Sequence, residues 1–161
     1  MGKGTGETGA TDLWSFALRM WEQRDVPAAA IALQDRWSLS VCLLLGALWL
    51  ERRGGPVDGE LAARLVERAV LRDREWILPL RRLRREASQR PEWSDWKRHL
   101  QKAELEAERL LLSELESLIA GTGLSNGDPG PGWLEQVLPR DRSEEMEALL
   151  EVLRGAARQC G

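Results

Sequence analysis

Tyrosine is absent from this chain, phenylalanine and histidine occur once each, and cysteine occurs twice. A single histidine, His99, supplies neither a His-rich metal cluster nor a Cys–His zinc spacing. Trp96 stands three residues before it, where a bundle-core di-metal site wants glutamate. His99 is therefore predicted as a surface residue. Cys42 and Cys160 do not make a disulfide framework, which fits a reducing compartment. Cys42 falls in an apolar run and reads as a small hydrophobe, and Cys160 falls in a tail expected to fray. The longest apolar stretch, residues 39–50, is shorter than the ~20 residues that a membrane span needs. No strand precedes the glycines near the N-terminus, so they do not read as a phosphate loop. No aspartate-rich magnesium motif is present. Residues 1–10 lack the apolar core of a secretory signal, and Gly6 stands where a myristoylation pattern wants Ser or Thr. The expectation is a cytoplasmic protein without a membrane span and without a cofactor.

Against these absences stand eight tryptophans and 30% charged residues. The tryptophans are expected in the core, filling gaps between helices. The charge is unevenly placed. Residues 72–102 carry ten Arg or Lys against five acids, and residues 103–151 carry three against twelve. Two helices attracting each other side by side account for this pattern more simply than an anion-binding face does. Nucleic-acid binding is not expected, because the tryptophans near Arg81, Arg82, Arg84 and Arg85 fall at helix-packing positions.

Hydrophobic periodicity is helical throughout, and no strand is evident. Thr11 or Asp12 caps a first helix with Leu13, Trp14, Phe16, Ala17, Leu18, Met20 and Trp21 on one broad apolar face and Ser15, Arg19 and Glu22 opposite. Pro27 opens an Ala-rich second helix over about 27–36, expected to be buried on most sides. Ser38 is the predicted cap of a third helix, about 39–52, in which Gly46 is expected to permit close packing. Asp58 caps a long helix over about 59–89 that Pro79 should kink. Its inner stripe reads Leu61, Leu65, Ala69, Trp76, Leu80, Leu83 and Ala87, with Asp73 and Arg84 intruding. A fifth helix, about 93–120, carries Trp96, Leu100, Ala103, Ala107, Leu111, Leu115 and Leu118. The fold class is all-α: one irregular bundle of five main helices with the third at its centre, plus a C-terminal helix. The expected organisation is a disordered 1–10, a helical domain at 11–120, a Gly/Pro-rich linker at 121–132 and a loosely attached helical segment at 133–161.

One polar cluster is predicted at the margin of the core. Asp35 sits near a helix C-terminus, where the dipole disfavours it. Arg84 lies on an apolar face and needs a carboxylate. Glu104 lies near the stripe of the next helix. Arg81 or Arg84 is expected to bridge Asp35 or Glu104 and Glu108 between helices, with Gln34 beside them. Such a network can set helix register with little net stability.

Leu13-Trp14-x-Phe16-Ala17-Leu18, Leu33-Gln34-Asp35, Val41-x-Leu43-Leu44-Leu45, Pro79-Leu80-Arg81-x-Leu83-Arg84-Arg85 and Glu104-Leu105-x-Ala107-Glu108 resemble an uncharacterised family of small proteobacterial proteins, defined as a domain of unknown function. The resemblance covers about residues 11–115. It implies a bacterial source and brings no catalytic residues with it. Cys42 and Leu43 depart from it, since a polar Asn is expected between the apolar positions there.

Three functions are open at this point. The inventory favours a non-enzymatic protein that acts through helical contacts with a protein partner or with itself. A second reading is a module that binds a small apolar or anionic ligand between helices near Gln34, Asp35 and Arg84; a cavity of some hundreds of Å³ there favours it. A third is an enzyme using the carboxylate/Arg cluster, which requires carboxylates facing an open cleft.

Overall fold

The computed structural model describes residues 11–54, 56–123 and 132–160. Residues 1–10 and the greater part of the Gly/Pro-rich linker, 124–131, lie outside the described residues, and so do the expectations made for them. All regular structure described is helical. The helices are α1 (Leu13–Glu22), α2 (Val26–Trp37), α3 (Val41–Arg53), α4 (Gly59–Arg72), α5 (Leu78–Ala87), α6 (Ser94–Ala120), α7 (Trp133–Val137) and α8 (Glu144–Gln159). No helix among the described residues is long and apolar enough to cross a membrane.

Helix α3 is the axis. Every residue from Cys42 to Leu50 is buried, because α1, α2, α4, α6, α7 and α8 all pack against it. A helix apolar on every face is stable only when so surrounded. Its cap is Ser40, whose hydroxyl accepts from the Leu43 amide, and not Ser38. Ser38 instead closes α2 with φ 56°, a left-handed turn that separates the two helices. Trp49 reaches back from α3 and donates its indole N–H to the Thr11 carbonyl at 2.8 Å. Asp12 caps α1 through the Ser15 amide.

The long helix around Pro79 differs from its expected form in an informative way. It is interrupted by a π-helical turn at Asp73–Ile77, in which the Leu78 amide bonds to the Asp73 carbonyl. Proline at 79 has no N–H for the residue 75 carbonyl, and its ring would crowd that carbonyl. A wide turn relieves both problems. One residue added to a turn rotates everything after it by about 100°. The shift along α5 is only partial: Arg84 and Ala87 keep the inner side expected of them and Leu80 still packs against the core, while Ile77 and Arg81 join the inner side and Leu83 is exposed.

Other expectations are also corrected. Helix α2 is buried only along Val26, Ala29, Ala30 and Leu33; Ile31 on its opposite side is 49% exposed. Trp96 and Ala103 of α6 face solvent, and Leu112 and Ile119 complete its inner stripe instead. Of the tryptophans, Trp49 and Trp133 are buried, whereas Trp21 and Trp96 are exposed. The C-terminal segment is not loosely attached. Trp133, Leu134, Leu138, Met146, Leu150 and Leu153 join the same core as α3, and α8 lies along α2. Glu51 of α3 accepts from the Gly132 and Leu134 amides at 3.2 and 3.0 Å, holding the start of α7. Cys160 is buried rather than frayed, with the Gln23 amide 3.9 Å from its sulfur. The basic and acidic blocks do lie side by side. Arg68 and Arg72 of α4 both bind Glu114 of α6, and Arg81 and Arg84 of α5 both bind Glu104.

Candidate functional site

Arg81 and Arg84 of α5 both turn inward and aim two guanidinium groups at α6, where Glu104 occupies a buried position of the apolar stripe. Arg81 donates through Nε to Glu104 Oε1 at 3.0 Å, and Arg84 donates through Nε to Oε2. Arg81 and Glu104 are each only 8% exposed, so each is the main compensation for the other's charge. The bond to Glu104 raises the Arg84 pKa further.

Glu108, one turn along α6, is held far less well. Its nearest cation is Arg81, with Nη2 at 3.8 Å from Oε1, beyond hydrogen-bond length. Burial first, and then the charge of Glu104, lift its pKa to about 7, against a partial pull from Arg81. Burial raises Asp73 as well, opposed by the Ser40 hydroxyl and Arg81. The Cys42 thiol is pushed well up by burial, then by Glu108 and Asp73. Such a thiol is inert as a nucleophile.

Asp35 is not part of this buried cluster. It pairs with Arg85, Nη2 to Oδ1 at 2.6 Å, with both side chains about half exposed. That pair links α2 to α5. Arg85 has no counterpart among the predicted site residues.

These groups line a cleft of about 390 Å³ among α1, α2, α3, α5 and α6. Arg81, Arg84, Arg85, Glu104 and Glu108 form its charged end, with Gln34 and Cys42 beside them. Trp14, Leu18 and Trp21 of α1, Ile31 of α2, and Leu105 and Leu112 of α6 form its apolar wall. Four of these are open to solvent: Leu18 45%, Trp21 43%, Ile31 49% and Leu105 53% exposed. Large apolar side chains scattered singly on a surface need no explanation; here four of them are gathered around one concavity. A second cavity of about 200 Å³ lies on the far side of the cluster, against Asp73, Arg74, Ile77 and Leu78. The two share Gln34, Val41, Cys42, Arg81 and Glu108, which form the partition between them.

The structure thus gathers Gln34, Arg81, Arg84, Glu104 and Glu108 around one cleft and leaves Asp35 outside it, engaged with Arg85. The apolar wall was not anticipated from the sequence. Leu18, Trp21, Ile31 and Leu105 look like ordinary core positions until the packing shows which of them the bundle leaves uncovered. Among the described residues no group of His, Cys, Asp and Glu is arranged to hold a metal ion.

No curated protein and no solved structure matches the chain. A family model does match, and it covers residues 12–115, from the cap of α1 into α6, including every residue named in the cleft. The chain belongs to the family described as protein of unknown function (DUF2390).

Proposed function

We propose that this protein is a binding module for a small amphipathic molecule, whose apolar body lies against Trp14, Leu18, Trp21, Ile31 and Leu105 and whose head group meets the arginines of α5. The observation that carries this reading is the cleft of about 390 Å³ with one apolar and one ionic wall. Ligand sites of this kind are mostly apolar, with a few convergent polar groups, and begin at about 300 Å³. Catalysis by a carboxylate pair is less well supported. Glu104 is engaged by two guanidinium groups, which leaves Glu108 as the one carboxyl in the cluster free to exchange a proton near neutrality.

Docking of a partner helix is the second reading, favoured by the exposure of Leu18, Trp21, Ile31 and Leu105 at the rim. Titration with the neutral fluorophore N-phenyl-1-naphthylamine separates the two. The ligand reading expects one site per chain, with energy transfer from the nearby Trp14 and Trp21. It also expects an affinity loss of about tenfold or more in Ile31→Glu and in Leu105→Glu with Tm unchanged, since each places a charge in the apolar wall. Absence of saturable binding, or equal binding by both variants, overturns the ligand reading in favour of a protein partner.

A further inference from the structure

The charge balance of the cleft goes beyond the presence of a ligand and selects its head group. Arg85 and Asp35 neutralise each other at the edge. Within the cluster, Arg81 and Arg84 bring two positive charges and Glu104 removes one. What is left is one guanidinium charge and Glu108. Among the described residues no donor hydrogen-bonds the Glu108 carboxyl, and Arg81 Nη2 stands 3.8 Å away. Arg81 uses Nε for Glu104, so its terminal nitrogens remain for a further acceptor on the Glu108 side. With Glu108 ionised the cluster is neutral and has no use for an anion. With Glu108 protonated it carries one surplus positive charge beside a carboxyl O–H donor. A dianionic head would exceed that charge and meet Glu104. A cationic head would meet two arginines.

Building on the ligand reading above, we propose that the cleft takes an amphiphilic monocarboxylate together with one proton, the ligand carboxyl and Glu108 sharing that proton beside Arg81. Two carboxyl groups brought within hydrogen-bond reach do not both ionise, and the pair then titrates as a unit. On binding, a carboxylate ligand arrives as its anion and one proton is taken from solvent. An O–H···O⁻ bond forms between the two carboxyls, and Arg81 balances the single remaining charge. The groups facing Glu108 are Arg81 and Arg84 from α5, Glu104 on its own helix, Asp73 and Arg74 from the π turn, Cys42 from α3 and Gln34 from α2. They include a further acid, Asp73, on the side of the smaller cavity, and its charge also disfavours the ionised form of Glu108. Burial and the charge of Glu104 raise the Glu108 pKa in the free protein to about 7, in the direction that makes the proton easier to hold.

The test is isothermal titration of the full chain with decanoate in buffers of different ionisation enthalpy, which counts protons. Close to one proton should be taken up per decanoate at about pH 8.5, falling towards zero at about pH 6, with affinity dropping about tenfold per pH unit above 7. Decanesulfonate, an anion that is not protonated in this range, should follow the same pH profile. Decyltrimethylammonium should bind at least tenfold more weakly than decanoate at about pH 6, and decyl phosphate, a dianion at about pH 8.5, at least tenfold more weakly than decanoate at that pH. In Glu108→Gln the amide replaces the protonated carboxyl. Decanoate affinity should then be flat from about pH 6 to pH 8.5, with no proton uptake. Saturable binding of the neutral naphthylamine together with proton-free binding of decanoate, an unchanged pH profile in Glu108→Gln, or a preference for the phosphate overturns the head-group assignment and leaves the ligand reading intact. Failure of every probe, the naphthylamine included, overturns both.

Discussion

Glu104 is the residue whose removal should cost most. It lies on the buried stripe of α6 with 8% of its surface exposed. It accepts from Arg81 Nε at 3.0 Å, from Arg84 Nε, and more distantly from Arg84 Nη2 at 3.5 Å. In Glu104→Gln the shape is kept and the charge is lost, so Arg81, equally buried, has only Glu108 at 3.8 Å. Breaking a buried pair by removing one partner costs about 3–5 kcal/mol. Glu108 is near enough to take over part of the role, which places the expected loss at about 3 kcal/mol. For a chain of this size that lowers Tm by roughly 6–12 °C. Urea unfolding followed by tryptophan emission is suited to the measurement, since Trp49 and Trp133 are buried. The midpoint should fall while the slope is unchanged. The double variant Arg81→Met, Glu104→Leu removes both charges from the interior and should return to within about 1 kcal/mol of the parent, because well-packed apolar side chains replace a buried pair at little cost. A Glu104→Gln protein within about 0.5 kcal/mol of the parent would mean that the pair is effectively solvated. A double variant no better than the single one would mean that the loss is one of shape and not of uncompensated charge. Either result refutes the electrostatic reasoning.

Three further outcomes follow from single positions. A Cβ built on Gly46 would meet only Leu115 Cδ1, at an ordinary 3.7 Å, so Gly46→Ala should stabilise the protein by about 0.5–1 kcal/mol through helix propensity; a lower urea midpoint would show that the close packing expected of this glycine is real. Gly132 has φ 128°, and a Cβ there would lie 2.6 Å from Val57, so Gly132→Ala should cost about 1–3 kcal/mol; the urea midpoint checks this, and an unchanged midpoint would show that the entry to α7 relaxes freely. Glu108 has a folded-state pKa of about 7, raised from 4.5, so the folded protein holds that proton more tightly than the unfolded chain does. The stability it contributes is complete below the unfolded value and is lost as pH rises through about 7. With the side chain 34% exposed, solvent screening limits the fall to about 1–2 kcal/mol. Urea midpoints from about pH 5 to pH 8 should decline in the parent and stay level in Glu108→Gln; parallel curves would show that Glu108 titrates normally.

How much of the site was legible depended on how local its causes are. Arg84 on an apolar face and Glu104 in the neighbouring stripe stood out because a charge at a buried helical position needs a counter-ion wherever it lies. Their meeting is the ion pair now seen. Asp35 read equally well as part of that network, yet it binds Arg85 at the edge. Its dipole argument required a cation without saying which. The Ser38 cap was misplaced because two serines stand two residues apart. Propensity does not separate them, and the left-handed turn at Ser38 depends on where α2 must end.

Taken alone, the sequence determined what depends on neighbours within a few turns: the helical class, a cap at Thr11 or Asp12 and another at Asp58, the burial of the segment around Leu43–Trp49, and the pairing of a basic helix with an acidic one. Only the tertiary structure decided the rest. The π turn before Pro79 turns α5 so that Arg81 joins Arg84 on the inner face and Leu83 is left outside. Such a rotation is set by competition between one proline and the packing of a whole helix, which no local period records. Helix α8 covers α2 on one side, while Leu18, Trp21, Ile31 and Leu105 are left open around a cleft. Identical apolar spacing leads to core in one place and to an open cleft wall in the other, because burial is a property of what packs opposite and not of the residue that is buried.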